Sequence, residues 1–273
     1  MDTLHPFLVA VDGSDDGWAA LEWAAGAAAG AGAPLQVLHV VQDNTGLAGV
    51  LLGPGPEPSQ DNPVTEEGLH RARAVAPELE VSTRVLAGDP KHVLPGQTRN
   101  AALLVVGTRG LSGLRGWLAG SVSRAVAGHA RCPVVVHKPA ENPVGGTVLA
   151  GVDPLDVVPE VLSFALRAAR QLSLPLRLVV GDTPAGERAD GARELLEETL
   201  AGVRADHPAL DVEAEYSARN ETEWLVELSR TAELVIVGRE LSGVLLTDPL
   251  GRAADALLDQ AHCPVAVVPT RNL

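Results

Sequence analysis

Short, unbroken apolar runs punctuate the first half of the chain: FLVAVD (7–12), LQVLHVVQ (35–42), ALLVVGTRG (102–110) and CPVVVH (132–137). Continuous apolarity over so few residues marks strands buried on both faces. LEVSTRVLAG (79–88) alternates only in part and is read as a further strand. The intervening segments carry helical periodicity over roughly 17–30, 64–76, 90–100 and 119–130, with Ser14, Asp15 and Asp16 placed to cap the first helix. Five strands alternating with helices predict an α/β domain, a doubly wound five-stranded parallel sheet with helices on both faces.

The pattern then repeats. At an offset of 131 residues Gly107 matches Gly238, Gly120 matches Gly251, and Cys132-Pro133 matches Cys263-Pro264. Upstream the offset is 141, aligning Val11-Asp12 with Val152-Asp153. The offset falls by ten because the first copy carries a longer loop, the Pro/Gly-rich GPGPEPSQDNP (53–63). A repeat this long is a duplicated domain and not a solenoid unit of about 20–50 residues. HKPAENPVGGT (137–147) reads as the linker, so the expected domains are 1–141 and 145–273.

Composition narrows the function classes. The 273 residues are 46% hydrophobic and 21% charged, a globular balance, with a formal net charge of −14. That excess of acid argues against a nucleic-acid surface or a polybasic membrane patch, both of which need positive charge. The N-terminal sequence has no basic region followed by a signal-length apolar run, and no stretch has the length of a membrane helix. The expected location is therefore cytoplasmic. Cys132 and Cys263 are too few for a disulfide framework and precede proline at strand starts, where small buried thiols fit. The histidines lack metal-ligand spacing, and His39, inside a strand, is read as a packed or partner-facing residue. Asp12 to Gly17 mimics the start of a calcium loop, but its twelfth position is Trp23 and not Glu, so no metal site is assigned.

Three features of the first copy fall at strand ends, where ligands of such sheets bind: Asp12, Val40, and a glycine loop after Val106. The loop reads Gly107-Thr108-Arg109-Gly110, nine residues, then Gly120-Ser121-Val122-Ser123 at the start of a helix. Glycines let backbone amides approach a phosphate closely, and the helix N-terminus attracts the anion with its free N–H groups and dipole. No Walker lysine, no Gly-x-Ser-x-Gly elbow and no base beside Arg109 or Arg115 is present, so no catalytic residue is assigned.

The spacing Gly107-x2-Gly110-x9-Gly120-Ser121, with Val11-Asp12 at the first strand end and HARCPVVV (129–136) at the close, resembles the universal stress protein family, in its ATP-binding subgroup. The resemblance spans nearly the whole chain as two tandem domains and implies a Rossmann-like fold of the adenine nucleotide alpha hydrolase type. It implies ATP or another adenine nucleotide as cofactor, with Mg2+ sometimes accompanying it. Asp12 would contact the ribose or adenine edge and the Val40 backbone the adenine. Gly107, Arg109 and Gly110 would line the sugar–phosphate side, and Gly120, Ser121, Val122 and Ser123 would hold the phosphates. A stress-response regulator is implied, with a nucleotide-free interaction module or a slow ATPase as the alternatives.

The second copy departs from the pattern. Leu241 replaces the second glycine, Arg252 and Ala254 stand where Ser121 and Ser123 stand, and Asp248-Pro249 lies in the interval. One nucleotide per chain is therefore expected, in the first copy. The resemblance further implies that the closing strands, Cys132–His137 and Cys263–Val268, pair within the chain as a pseudo-dimer, association of two chains being left open. As short apolar edges they would otherwise expose unpaired backbone groups.

Overall fold

A computed structural model describes residues 5–41, 57–108, 120–139, 146–152, 159–181, 187–239 and 250–270. The chain divides into two compact units, Met1–His137 and Lys138–Leu273. In unit 1 the elements run β1 (Phe7–Ala10), α1 (Asp15–Ala31), β2 (Leu35–Val41), α2 (Pro63–Val75), β3 (Val81–Ala87), α3 (Pro90–Gln97), β4 (Leu103–Gly107), α4 (Ser121–His129) and β5 (Val134–His137). The sheet order is β3-β2-β1-β4-β5 and every pairing is parallel. From β1 the chain steps outward through β2 to β3, then crosses back to β4 and β5. Right-handed crossovers therefore put α1 and α2 on one face and α3 and α4 on the other. The strand order reverses between β1 and β4, which opens a crevice at their carboxyl ends.

The apolar runs become this sheet's core: Val9, Leu35, Val37, Leu104, Val105, Val134 and Val135 are fully buried. α1 presents Gly17, Ala20, Leu21, Ala24, Ala25 and Ala28 inward, and the glycine and alanines among them let it lie close to β1 and β4. Ser14 caps α1 by accepting from the Gly17 N–H, with Asp15 and Asp16 in the positive first turn. The segment expected as one helix over 90–100 is α3 followed by a 3-10 turn, Thr98–Asn100. Pro95 inside α3 lacks an N–H, and the Thr98 hydroxyl donates to the Pro95 carbonyl (2.7 Å), which tightens the last turn.

Unit 2 contains β6 (Val148–Gly151), α5 (Pro159–Leu172), β7 (Leu176–Val180), α6 (Glu187–Asp206), β8 (Val212–Tyr216), α7 (Glu221–Leu228), β9 (Leu234–Arg239), α8 (Arg252–Gln260) and β10 (Val265–Pro269). Its order, β8-β7-β6-β9-β10, repeats that of unit 1 with all strands parallel. Among the described residues no helix is long and apolar enough to cross a membrane.

Candidate functional site

In unit 1 the crevice is built from four strand ends and two helix starts. Asp12 follows β1, and its Oδ1 accepts from both the backbone N–H (3.0 Å) and the hydroxyl (2.6 Å) of Ser14. The residue that caps α1 therefore also orients this carboxylate. Val40 lies near the carboxyl end of β2, the neighbour of β1, and beside it His39 brings Nδ1 within 2.8 Å of the Val11 carbonyl.

Gly107 ends β4, on the other side of β1. A Cβ here would fall 2.9 Å from the carbonyl carbon and oxygen of Asp16, so only glycine lets the strand end meet the first turn of α1. The next residue, Thr108, is buried and tied on every side. Its hydroxyl donates to Asp16 Oδ2 (2.7 Å), its N–H donates to the His137 carbonyl (3.1 Å), and its carbonyl accepts from the Gly120 N–H (2.6 Å). The Ser123 hydroxyl is also buried, 2.9 Å from the Gly107 carbonyl and 3.2 Å from that of Thr108. Its proton is directed at the end of β4, so what Ser123 presents at the start of α4 is its backbone N–H.

Gly120 is the N-cap of α4 in extended conformation (φ −65°, ψ 156°), and no side chain caps that helix. Ser121 is exposed and Val122 half-buried. The amides of the first turn, Ser121 to Ser123, thus form a partly positive terminus that, among the described residues, no side chain caps and no acidic residue of the turn offsets, suited to an anion. Across the strand ends from α4 to β2 the order of groups is helix amides, Gly107, Asp12, Val40. Arg109 and Gly110, expected on the sugar–phosphate side, lie outside the described residues.

Sequence reasoning missed Asp16, Thr108 and His137 as supports of this corner. In the sequence Thr108 stands inside the glycine spacing, and Asp16 signals only a helix cap. His137, in register with Gly107, is buried against Trp23 with ring centroids 6.2 Å apart. Burial pulls its imidazole down to about 4, with the Asp16 carboxylate opposing the shift. Burial likewise pushes the Cys132 and Cys263 thiols up to about 12, which keeps the reactive thiolate scarce. Among the described residues no three His, Cys, Asp or Glu side chains group as metal ligands.

The corresponding corner of unit 2 is built differently. Gly151 and Gly181 stand at the positions of Ala10 and Val40, and both face Glu221 at the start of α7. A Cβ on Gly151 would overlap the Glu221 carboxylate, and one on Gly181 would lie 2.5 Å from its Cα. The chain's own carboxylate thus fills the space beside the β6 and β7 ends. Where Thr108 stands in unit 1, Arg239 is buried, and its carbonyl accepts from the Thr270 hydroxyl (2.8 Å). Gly251 enters α8 with φ +78°, unlike Gly120, and Ala254 is buried without a hydroxyl. Asp153, Leu241, Asp248 and Pro249 lie outside the described residues.

Residues 3–138 match the profile of the universal stress protein family. A universal stress protein of Mycolicibacterium smegmatis is 28% identical, with 98% of each chain covered. One of Mycobacterium tuberculosis (strain H37Rv) is 34% identical over 63% of each. Among solved structures, a universal stress protein from Archaeoglobus fulgidus superposes with a TM-score of 0.68 at 19% identity, covering 98% of this chain and 99% of that one.

Proposed function

Because the chain belongs to the universal stress protein family as a tandem two-domain member, we propose that unit 1 binds an adenine nucleotide, ATP in the first instance, with Mg2+ as its counter-ion. The uncapped α4 terminus facing the glycine end of β4 carries the reading: it offers amides to phosphates, with Asp12 and the Val40 backbone laid out beyond it for sugar and base. Binding, and not turnover, is the proposed activity, since phosphoryl transfer would need a base to orient water and the sequence sets none beside Arg109 or Arg115. The protein acts as a cytoplasmic stress-response regulator that reads nucleotide occupancy. Mass spectrometry of small molecules released on denaturing the purified protein tests it; an adenine nucleotide in stoichiometric amount is expected, and its absence together with no ATP uptake in calorimetry refutes it.

Unit 2 is proposed as the structural partner, its closing strand pairing with that of unit 1. In β5 the N–H groups of Val134 and Val136 point away from β4, because those of the alternate residues face it; in β10 the same holds for Val265 and Val267 with respect to β9. In a chain shown to be monomeric by sedimentation, slow hydrogen exchange at these four amides is expected, and fast exchange removes the pairing.

A further inference from the structure

β2 alternates its backbone groups between two neighbours. Leu35 donates to Glu80 and Val41 accepts from Gly88 on the β3 side, so the odd-numbered residues face β3. Pro34 and Leu38 accept from Phe7 and Val11, so the even-numbered residues, Val40 among them, face β1. In a parallel ladder the Val11 N–H donates to Leu38, and the next bond runs from the Val40 N–H to the Val11 carbonyl. The first of these is present at 2.9 Å; the second is not formed, and among the described residues the Val40 N–H has no acceptor. In its place the His39 imidazole takes the Val11 carbonyl at 2.8 Å. A carbonyl only accepts, so Nδ1 carries the proton of that bond.

We infer that His39 ends the β1–β2 ladder one step early and thereby reserves the Val40 N–H and C=O for the base of the bound nucleotide, which rests on the nucleotide reading above. A backbone N–H and C=O on the same side of one strand residue form a donor–acceptor pair. That pair matches the edge of adenine, whose N1 accepts and whose 6-amino group donates. Hypoxanthine offers the reverse, a donor at N1 and an acceptor at position 6, so both contacts turn repulsive. His39 acts through Val40 and is a positioning residue. In unit 2 the equivalent of His39 is Val180, with no donor, and its neighbour Gly181 lies against Glu221.

The full chain and its His39→Phe and His39→Asn variants provide the test, with amide exchange by NMR and calorimetry using ATP and inosine triphosphate. Phe keeps the ring and loses the donor; Asn returns an N–H at the position of Nδ1. In the unliganded protein the Val40 amide should exchange at least tenfold faster than the Leu38 amide, and become protected on adding ATP. His39→Phe should protect it without ligand, as it returns to Val11, weaken ATP about tenfold, and shrink a roughly hundredfold preference for ATP over inosine triphosphate to below tenfold. His39→Asn should restore most of both. Equal exchange of Val40 and Leu38 in the wild-type chain, or no change in His39→Phe, overturns the ladder role. Unchanged affinity and preference in His39→Phe overturn the reading of the base while leaving nucleotide binding intact. A wild-type chain that takes up neither nucleotide overturns the binding reading itself, and the exchange result still decides whether His39 breaks the ladder.

Discussion

Among the described residues of the site, Thr108 ties three elements together at one position. Its hydroxyl reaches Asp16 on α1, its N–H reaches β5, and its carbonyl receives the amide of Gly120. Thr108→Val keeps the shape and removes the donor, leaving a carboxylate short of one bond in a half-buried corner. The expected loss is about 1–3 kcal/mol of stability, with weaker ATP binding, and Thr108→Ser should recover most of it. Urea melts and calorimetry on both variants check this; a Val variant as stable and as tight as wild type would show that the tie is incidental. His137, behind the same corner, gives a pH signature. Its folded value of about 4 lies below the ordinary 6.5, so the unfolded chain takes up the proton first on acidification. Its contribution is therefore complete above about pH 6.5 and is lost progressively as pH falls toward 4. Between pH 7 and pH 4.5 the wild type should lose about 2–3 kcal/mol more than His137→Phe, which has nothing to protonate there. Parallel losses in the two proteins would mean that the imidazole is not held neutral by the fold.

At the scale of elements, α4 and α8 start from matched glycines and yet do different things. Gly120 is in an extended conformation open to any residue, so Gly120→Val should fold and block the approach of a phosphate to the α4 amides. Loss of several charge-assisted bonds, each about 1.5–3 kcal/mol, should cut ATP affinity by orders of magnitude. The control in the second copy is Arg252→Ala, because Gly251 at φ +78° would strain under a branched side chain. Calorimetry should show no change there. The strands, their order of appearance and the glycine spacing were legible in the sequence, because apolar runs and turn residues are local signals. Thr108 with Asp16, 92 residues apart, and His39 with Val11, 28 apart, were not. Those contacts exist only once β4 and β2 flank β1, and no local pattern announces them. The same is true of Glu221: the second copy's altered loop was visible, while the carboxylate seated on Gly151 and Gly181 needed the strand ends and α7 in place. Ser123 shows the converse. Its hydroxyl looked like a phosphate donor in the sequence, and the fold spends it on the end of β4.

For the whole molecule, the two units carry one order of strands and two kinds of strand end, and this asymmetry sets the expected stoichiometry. In unit 1 a glycine end, an uncapped helix and a ladder stopped short leave backbone donors facing the crevice. In unit 2 the equivalent crevice holds Glu221, a side chain whose negative charge opposes a nucleotide and whose seat demands glycine twice over. Gly181→Ala should accordingly cost about 1–3 kcal/mol through overpacking against α7, with ATP binding in unit 1 untouched. The intact chain should bind one adenine nucleotide, and Gly120→Val should abolish that uptake completely instead of halving it. Isothermal titration with ATP and Mg2+ decides between the two cases: a stoichiometry of two, or a residual site of full affinity in Gly120→Val, would mean that the second copy binds nucleotide despite its carboxylate.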